Sequence, residues 1–225
     1  MITLTNVSKY YGKNKVLNDV SLFIGSGEFV SIVGQSGAGK TTIVRLLIGE
    51  EKADSGKVVV GDWDITKLSQ REVPHLRRQI GVIFQDFKLL PKKTLEENIS
   101  FALEVSDGSR EKIKKIVPSV LKIVGLEGKG KRYPNEVSGG ERQRAAIARA
   151  LVHQPKILLA DEPTGNLDAI NADEIIELLL RINNFGTTVV LVTHNKEIVN
   201  RLQKRVITMD NGVLISDQQK GKYLL

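Results

Sequence analysis

Gly34-Gln35-Ser36-Gly37-Ala38-Gly39-Lys40-Thr41 is the stretch of this sequence that decides the fold. It has the form G-x-x-x-x-G-K-[ST], in which a glycine-rich backbone turns its N–H groups toward phosphate oxygens. Residues 28–33, just before it, form an apolar, β-branched run typical of a buried strand, and residues 42–48, just after it, have helical spacing. This order of strand, loop and helix is the context that the motif requires, so the stretch predicts a nucleotide triphosphate site.

The residues of this loop have separable roles in holding a nucleotide. Lys40 is expected to reach the β- and γ-phosphates, and the Thr41 hydroxyl is expected to bind Mg²⁺. A glycine-rich turn with an exposed lysine is the alternative, which the flanking strand and helix disfavour. The predicted nucleotide-binding residues are Gly34, Gln35, Ser36, Gly37, Ala38, Gly39, Lys40, Thr41 and Thr42.

A second apolar run, residues 157–160, ends in two adjacent carboxylates, Asp161 and Glu162. Open α/β sheets bind their ligands at the carboxyl ends of strands, so we expect these acids beside the phosphate loop. Asp161 can hold Mg²⁺, and Glu162 can polarise the attacking water. Taken alone, such a run is more often an ordinary strand entering a solvated turn. The presence of the phosphate loop favours the catalytic interpretation.

Val137-Ser138-Gly139-Gly140-Glu141 is a second candidate for anion binding. One hydroxyl and two glycine N–H groups precede a helix predicted over residues 143–152, where the helix dipole favours negative charge. The alternative is a plain helix cap followed by an acidic first turn. The sequence therefore contains two candidate phosphate sites that are far apart along the chain.

The segment around Ser138 resembles the Leu-Ser-Gly-Gly-Gln signature of the ABC-type ATPases, with Val137 and Glu141 as departures that remove no phosphate donor. The resemblance extends from Met1 to about Gly212. It implies ATP and Mg²⁺ as cofactors and a homodimer with ATP sandwiched at its interface. In that arrangement Ser138 and Gly140 of one copy meet the γ-phosphate that Lys40 of the other copy binds.

The resemblance also implies roles for residues outside the two loops. Tyr11 would stack on adenine, with Tyr10 leaving the register open, and Asp168 would communicate across the dimer. His194 would orient the γ-phosphate, although Asn195 replaces the aspartate often found next. The implied catalytic residues are Glu162, His194 and Gln85; the implied metal-binding residues are Thr41, Gln85 and Asp161; and the implied nucleotide-binding residues outside the phosphate loop are Tyr11, Ser138, Gly139, Gly140 and Asp168.

Strands that alternate with helices predict an α/β fold with a mostly parallel sheet. Short strands are expected over residues 2–33, with a turn at residues 25–27. Charged helical spacing over residues 94–124, interrupted by Pro118, indicates a helical insertion at about residues 86–154. We expect residues 1–225 to form a single ABC-type ATPase domain: a P-loop NTPase (RecA-like) core with an N-terminal antiparallel β region and an inserted α-helical subdomain. Further strands are predicted at residues 57–60, 80–84, 157–160 and 188–192, and helices at 172–182 and 196–202.

The composition limits the class of partner. The net charge of +7, from 33 Lys and Arg against 26 Asp and Glu, suits an anionic ligand, nucleic acid or an anionic membrane. No aromatic residues interleave the basic clusters, so no nucleic acid is expected. The sequence has no cysteine for disulfides, no signal peptide and no apolar run near the ~18 residues of a membrane span. We expect a cytoplasmic protein, peripheral to the inner face of the cell membrane through an integral membrane permease. The basic clusters could touch lipid, with a solvated helical face as the alternative.

Within the ABC family, residues 71–81 and 83–86 resemble those of the cell-division ATPases, whereas residues 159–168 are shared with lipoprotein-releasing and macrolide-efflux ATPases. The resemblance implies an ATP-hydrolysing subunit that dimerises on ATP and signals through its permease to cell-wall hydrolases during division. The ATPase subunit of a lipoprotein-release or efflux transporter is the alternative. Phe87, Leu89 and Leu90 are predicted to form part of the groove that receives the permease, with packing into the helical lobe as the other possibility.

Overall fold

The structure, a computed structural model, describes residues 1–106 and 108–223. Short 3₁₀ turns lie at Ile65–Lys67 and Pro134–Glu136. In chain order the other elements are β1 (Ile2–Tyr11), β2 (Asn14–Ile24), β3 (Phe29–Val33), α1 (Lys40–Leu47), β4 (Ser55–Val60), β5 (Trp63–Asp64), α2 (Val73–Arg78), β6 (Ile80–Phe84), α3 (Leu95–Glu104), α4 (Arg110–Ile123), α5 (Gly139–Leu151), β7 (Ile157–Asp161), α6 (Ala169–Asn184), β8 (Thr188–Val192), α7 (Lys196–Leu202), β9 (Arg205–Asp210) and β10 (Val213–Gln218).

A six-stranded sheet in the order β10-β9-β3-β8-β7-β6 forms the centre of the fold. All of its pairings are parallel except that of β10 with β9, which confirms the predicted mostly parallel sheet. Every residue of β3 and β8 is buried, as expected for strands covered on both faces. The carboxyl ends of the five parallel strands, β3, β6, β7, β8 and β9, therefore meet at one edge, where an α/β sheet binds its ligand.

A second sheet, antiparallel and in the order β2-β1-β4-β5, is formed mainly by the N-terminal residues. This confirms the predicted N-terminal β region, but β1 and β2 have 10 and 11 residues and are not short. Their pairing is irregular between Leu4 and Val7, and Asn6 and Asp19 both have positive φ. These bulges shift the alternation of apolar and polar residues, which makes long strands look like short ones in the sequence.

Three helices, α3, α4 and α5, occupy most of the predicted insertion at residues 86–154. The prediction that Pro118 interrupts the helical pattern was wrong, because α4 continues through it to Ile123. Proline removes one backbone hydrogen bond, and the burial of Val117, Val120 and Leu121 against the neighbouring helices outweighs that loss. The same hydrophobic cluster includes residues of β7 and β8, so the helices and the sheet share one core.

Three helices begin earlier than predicted: α1 begins at Lys40 rather than at residue 42, and two others begin at a polar cap. The α5 helix begins at Gly139 rather than at residue 143, and α6 begins at Ala169 rather than at residue 172. In these two helices a polar side chain caps the first turn: the Ser138 hydroxyl accepts from the Glu141 N–H, and Asp168 accepts from the Asn171 N–H. Among the described residues, no helix is long and apolar enough to cross a membrane.

Candidate active site

The phosphate loop follows β3 and is pressed against two other strands. A Cβ on Gly34 would lie 2.2 Å from the Met209 carbonyl oxygen of β9, and one on Gly39 would lie 2.7 Å from the Leu17 side chain of β2. Both glycines also have positive φ, 152° and 95°. Only glycine satisfies both constraints, so these two positions set the path of the loop over the sheet edge.

Lys40 begins α1 and turns its side chain back over the loop. Its ammonium Nζ donates to the carbonyl oxygens of Gly34 at 2.7 Å and Gln35 at 2.9 Å, and the residue is buried. Burial lowers the pKa of Lys40, an effect that the charges of Glu162 and Asp161 oppose. The lysine is therefore held where phosphate oxygens would meet the loop.

Thr41 and Asp161 bring a hydroxyl and a carboxylate together across the sheet edge. The Thr41 hydroxyl donates to Asp161 Oδ1 at 3.5 Å. Burial raises the pKa of Asp161, with the charge of Glu162 adding to the rise and the Thr41 hydrogen bond opposing it. Among the described residues, no group of three or more His, Cys, Asp or Glu side chains could hold a metal ion. Mg²⁺ usually takes one or two protein oxygens together with substrate phosphates, so this smaller donor set fits it.

Glu162 is fixed in place by three contacts with the end of β8 and the two residues that follow it. Its backbone N–H donates to the Val192 carbonyl oxygen at 2.9 Å, and its own φ is 49°. Glu162 Oε2 accepts from the Thr193 hydroxyl at 3.2 Å, and Oε1 lies 2.6 Å from His194 Nδ1. A left-handed glutamate is uncommon, and strain of this kind concentrates at functional sites.

Gln85 follows β6 directly and faces Asn166. The Asn166 side-chain amide donates to the Gln85 carbonyl oxygen at 2.9 Å, and the two side chains approach at 3.5 Å. A Cβ on Gly165 would lie 2.8 Å from the Gln85 side chain, so glycine there leaves room for the glutamine. The loop after β7 thus determines where the Gln85 side chain can lie.

A cavity of about 680 Å³ is lined by the phosphate loop together with Gln85, Glu162 and His194. Ten of the predicted site residues line it. Val16 and Tyr223 also line it and were missed. Val16 lies in a strand with no motif, and Tyr223 is an aromatic residue near the C-terminal end, so the sequence offered no signal for either. The lining residues are Val16, Gln35, Ser36, Gly37, Gly39, Lys40, Thr41, Thr42, Gln85, Glu162, His194 and Tyr223.

The remaining predicted residues lie around or away from this cavity. Gly34 and Ala38 complete the phosphate loop without lining it, and Asp161 lines a neighbouring cavity of about 550 Å³ together with Thr41 and Gln85. Tyr11 is not among the lining residues; it is 38% exposed, and the Lys9 ammonium lies 5.4 Å from its ring centroid. Its stacking on adenine stays a prediction.

Ser138, Gly139, Gly140 and Asp168 form a separate constellation. The Ser138 hydroxyl caps α5, and its N–H donates to Glu141 Oε2 at 2.8 Å, which completes a capping box. A Cβ on Gly140 would lie 2.0 Å from Asn171 Oδ1, and Asp168 accepts a hydrogen bond of 2.7 Å from the side chain of the same asparagine. None of the four residues lines the Lys40 cavity.

Comparison with known proteins shows which family this chain belongs to. The family model described as "ABC transporter" matches residues 17–165. The chain belongs to the ABC transporter family. This ABC ATPase is 52% identical over 217 residues to the cell division ATP-binding protein FtsE of Streptococcus pneumoniae serotype 2 (strain D39 / NCTC 7466), with 96% of the chain and 94% of the relative covered. It is 44% identical over 220 residues to the methionine import ATP-binding protein MetN of Geobacillus kaustophilus (strain HTA426), with 96% of the chain but only 64% of MetN covered.

A solved structure supports the same assignment. The dimeric ATP-binding cassette MJ0796, in a post-hydrolysis state bound to ADP and Pi, superposes with a TM-score of 0.86 at 35% identity and covers 99% of this chain and 100% of its own. The ABC ATPase therefore has the P-loop NTPase fold, as the sequence predicted. It binds ATP and is an ATP hydrolase.

Proposed function

We propose that this ABC ATPase is the ATP-hydrolysing subunit of a cell-division complex of the FtsE–FtsX type. ATP-driven dimerisation transmits a conformational signal through an integral membrane partner to cell-wall hydrolases. Support comes from the 52% identity to FtsE over nearly the whole of both chains, whereas the match to MetN leaves about a third of that protein without a counterpart.

The observation that best supports the hydrolytic mechanism is the 2.6 Å contact between His194 and Glu162. Both residues line the same cavity as Lys40. On binding ATP, Lys40 exchanges its two loop carbonyls for oxygens of the β- and γ-phosphates. Glu162 acts as the base that accepts a proton from the attacking water, and Thr193 and His194 hold its carboxylate in position. Thr41, Asp161 and Gln85 would hold Mg²⁺, which supplies charge neutralisation to the phosphates when bound.

Two copies are needed to complete each site. Ser138 and Gly140 supply phosphate donors at the start of α5, yet they lie outside the Lys40 cavity of their own chain. In a head-to-tail dimer, α5 of one copy faces the γ-phosphate bound by the other. MJ0796, which is dimeric with ADP and Pi, supports such an arrangement. We propose the same dimer for this chain, with Asp168 at the contact between copies.

The membrane partner docks beside Gln85. The cavity of about 550 Å³ there is lined by residues of α1 and β6 and by Asp86 and Lys88, which follow β6. Leu90, close by, is 36% exposed, whereas Leu89 packs against the core and Phe87 lies beneath Arg142. Of the three apolar residues predicted to meet the permease, Leu90 therefore has the most surface to offer. Contact with the permease would keep the ATPase at the cytoplasmic face of the membrane.

A pull-down tests the assignment to a division complex. The tagged chain with Glu162→Gln, which is designed to retain ATP, would be co-expressed with the FtsX-type permease of its own genome and purified in detergent with Mg²⁺ and ATP. We expect stoichiometric recovery of that permease. A permease of the lipoprotein-releasing type from the same genome is the matched control. Recovery of the control permease in place of the FtsX-type one would overturn the assignment.

A further inference from the structure

The loop after Gln85 contains two successive non-glycine residues in the left-handed region, Phe87 with φ 58° and Lys88 with φ 49°. For L-residues this region is crowded, because Cβ approaches the following carbonyl oxygen. Local backbone bonds link Phe87 N–H to the Phe84 oxygen at 3.3 Å and Lys88 N–H to the Asp86 oxygen at 2.6 Å. Such a conformation persists only where its surroundings hold it.

Arg149, in the last turn of α5, stabilises this loop conformation with two hydrogen bonds. Its guanidinium donates through Nη2 to the Phe87 carbonyl oxygen at 2.9 Å and through Nη1 to the Lys88 carbonyl oxygen at 2.5 Å. A planar guanidinium can bind two adjacent oxygens at once, which the single ammonium of lysine does less well. Burial lowers the pKa of Arg149, so the group has lost hydration in order to make these two bonds.

Arg142, two turns earlier on the same side of α5, makes a second connection to this loop. Its Nη1 donates to the carbonyl oxygens of Val137 at 2.8 Å and Pro134 at 3.2 Å. Its guanidinium carbon lies 5.5 Å from the Phe87 ring centroid. Val137 directly precedes Ser138. Phe87 therefore contacts both ends of α5: its carbonyl oxygen accepts from Arg149 near the C-terminal end, and its ring packs against Arg142 near the N-terminal end.

We infer that Arg149 is a positioning residue for Gln85. Its two hydrogen bonds hold Phe87 and Lys88 in the left-handed conformation and so link the Gln85 side chain to the helix that carries Ser138. The inference rests on the proposed function only in the role given to Gln85 at the Mg²⁺ site. Because α5 is a continuous helix, a movement of Gln85 on nucleotide binding displaces Arg149 and, with it, the phosphate donors at the start of α5.

Hydrogen exchange tests the contact itself, without reference to activity. In the nucleotide-free full chain with Arg149→Lys, the Phe87 and Lys88 amides should exchange about tenfold faster than in the unmodified chain. Arg144→Lys is the matched control, since Arg144 lies on the same helix and donates instead to Glu174 at 2.6 Å. It should leave exchange at these two amides unchanged. Equal protection in the Arg149 and Arg144 variants would overturn the inference.

A second variant covers the case in which a buried lysine destabilises the chain. Arg149→Gln removes the charge and keeps one planar amide, so it avoids an unpaired buried ammonium. It should raise exchange at Phe87 and Lys88 in the same way while melting close to the unmodified chain. A stable Arg149→Gln chain with unchanged exchange at these amides would overturn the inference, just as unchanged exchange in the Arg149→Lys chain would.

Kinetics then test whether Arg149 acts through Gln85. Arg149→Lys should lower kcat about tenfold and raise the Mg²⁺ concentration for half-maximal activity, while ATP affinity stays within about twofold. A purely structural role would not move the Mg²⁺ dependence. Unchanged kcat and Mg²⁺ dependence would overturn the inference.

A double-mutant cycle tests whether Arg149 acts through Gln85 or independently of it. The chain with Gln85→Ala and Arg149→Lys should be no slower than Gln85→Ala alone, because both changes disturb the same side chain. Losses that multiply would show that Arg149 acts independently of Gln85 and would overturn the inference. A Gln85→Ala chain with normal turnover would instead contradict the proposed role of Gln85, and the exchange experiment would still decide the Arg149 contact.

Discussion

The phosphate loop and the Ser138 segment are both glycine-rich starts of helices, yet their surroundings differ. The phosphate loop lies where five parallel strands end, so Lys40 shares a cavity with Gln85, Glu162 and His194. At the Ser138 segment, the serine hydroxyl is occupied by its own helix cap and Asn171 covers Gly140. The same local chemistry becomes a catalytic site only where the sheet brings other groups to it. In the dimer that we propose, a second copy of the chain supplies the rest at Ser138.

The largest expected effect is at the first region. Glu162→Gln should reduce phosphate release by about 10²–10⁴-fold, because the amide keeps the shape but cannot accept the proton. ATP affinity, measured by equilibrium binding, should change by less than about twofold, since Lys40, the proposed phosphate ligand, is unchanged. Substantial hydrolysis by this variant would show that the base lies elsewhere.

That variant also tests the difference between the two regions. With hydrolysis blocked, the ATP-bound dimer should persist in size-exclusion chromatography with saturating Mg²⁺ and ATP. The same chain without nucleotide is the control. A variant that binds ATP but elutes only as a monomer would argue against completion of the site by a second copy.

Lys40→Ala should have the largest effect on ATP binding. It removes a cation whose hydrogen bonds are worth about 1.5–3 kcal/mol, so ATP affinity should fall by roughly 10–150-fold. Isothermal titration would measure the loss, with Lys67→Ala, on the 3₁₀ turn after β5, as a control of the same chemistry away from the site. A loss of affinity in both variants to the same extent would contradict the assignment of Lys40.

Ser138→Arg tests the second region. It should leave ATP binding intact but abolish hydrolysis, because its defect falls in the site of the other copy. A heterodimer of Lys40→Ala and Ser138→Arg chains contains one doubly damaged site and one intact site, so mixing should restore part of the turnover. If heterodimers form and the mixture is no more active than either variant alone, the two regions do not meet across a dimer.

The smallest effect on the isolated chain is expected at Leu90. Leu90→Ser should lower the free energy of unfolding by only about 1 kcal/mol, because Leu90 is already 36% exposed. It should nevertheless weaken recovery of the membrane partner. Leu89→Ser is the contrasting variant and should cost more stability, since Leu89 packs against the core. A large stability loss in Leu90→Ser, or undiminished partner binding, would assign Leu90 to the core as well.

Strongly patterned segments were predictable from the sequence. Residues 196–202 and 80–84 form the expected helix and strand with the expected bounds, because their apolar spacing agrees with their packing. Helix starts were less accurate, since a serine or aspartate cap can serve a helix whose first turn contains glycines or polar residues. The prediction that Pro118 interrupts the helical pattern was wrong for a related reason. The local penalty of Pro118 was visible in the sequence, and the tertiary packing that outweighs it was not.

The sequence by itself determined the chemistry of the phosphate loop, the acids at the end of β7 and the alternation of strands and helices, because each depends on residues close together in the chain. Only the tertiary structure decided which distant groups meet. It brings His194 to Glu162, Tyr223 to the cavity and Arg149 to the loop after Gln85. An arginine in a helix looks like a solvated charge in the sequence. Its burial against two carbonyl oxygens follows from how α5 packs on the sheet, which no local pattern encodes.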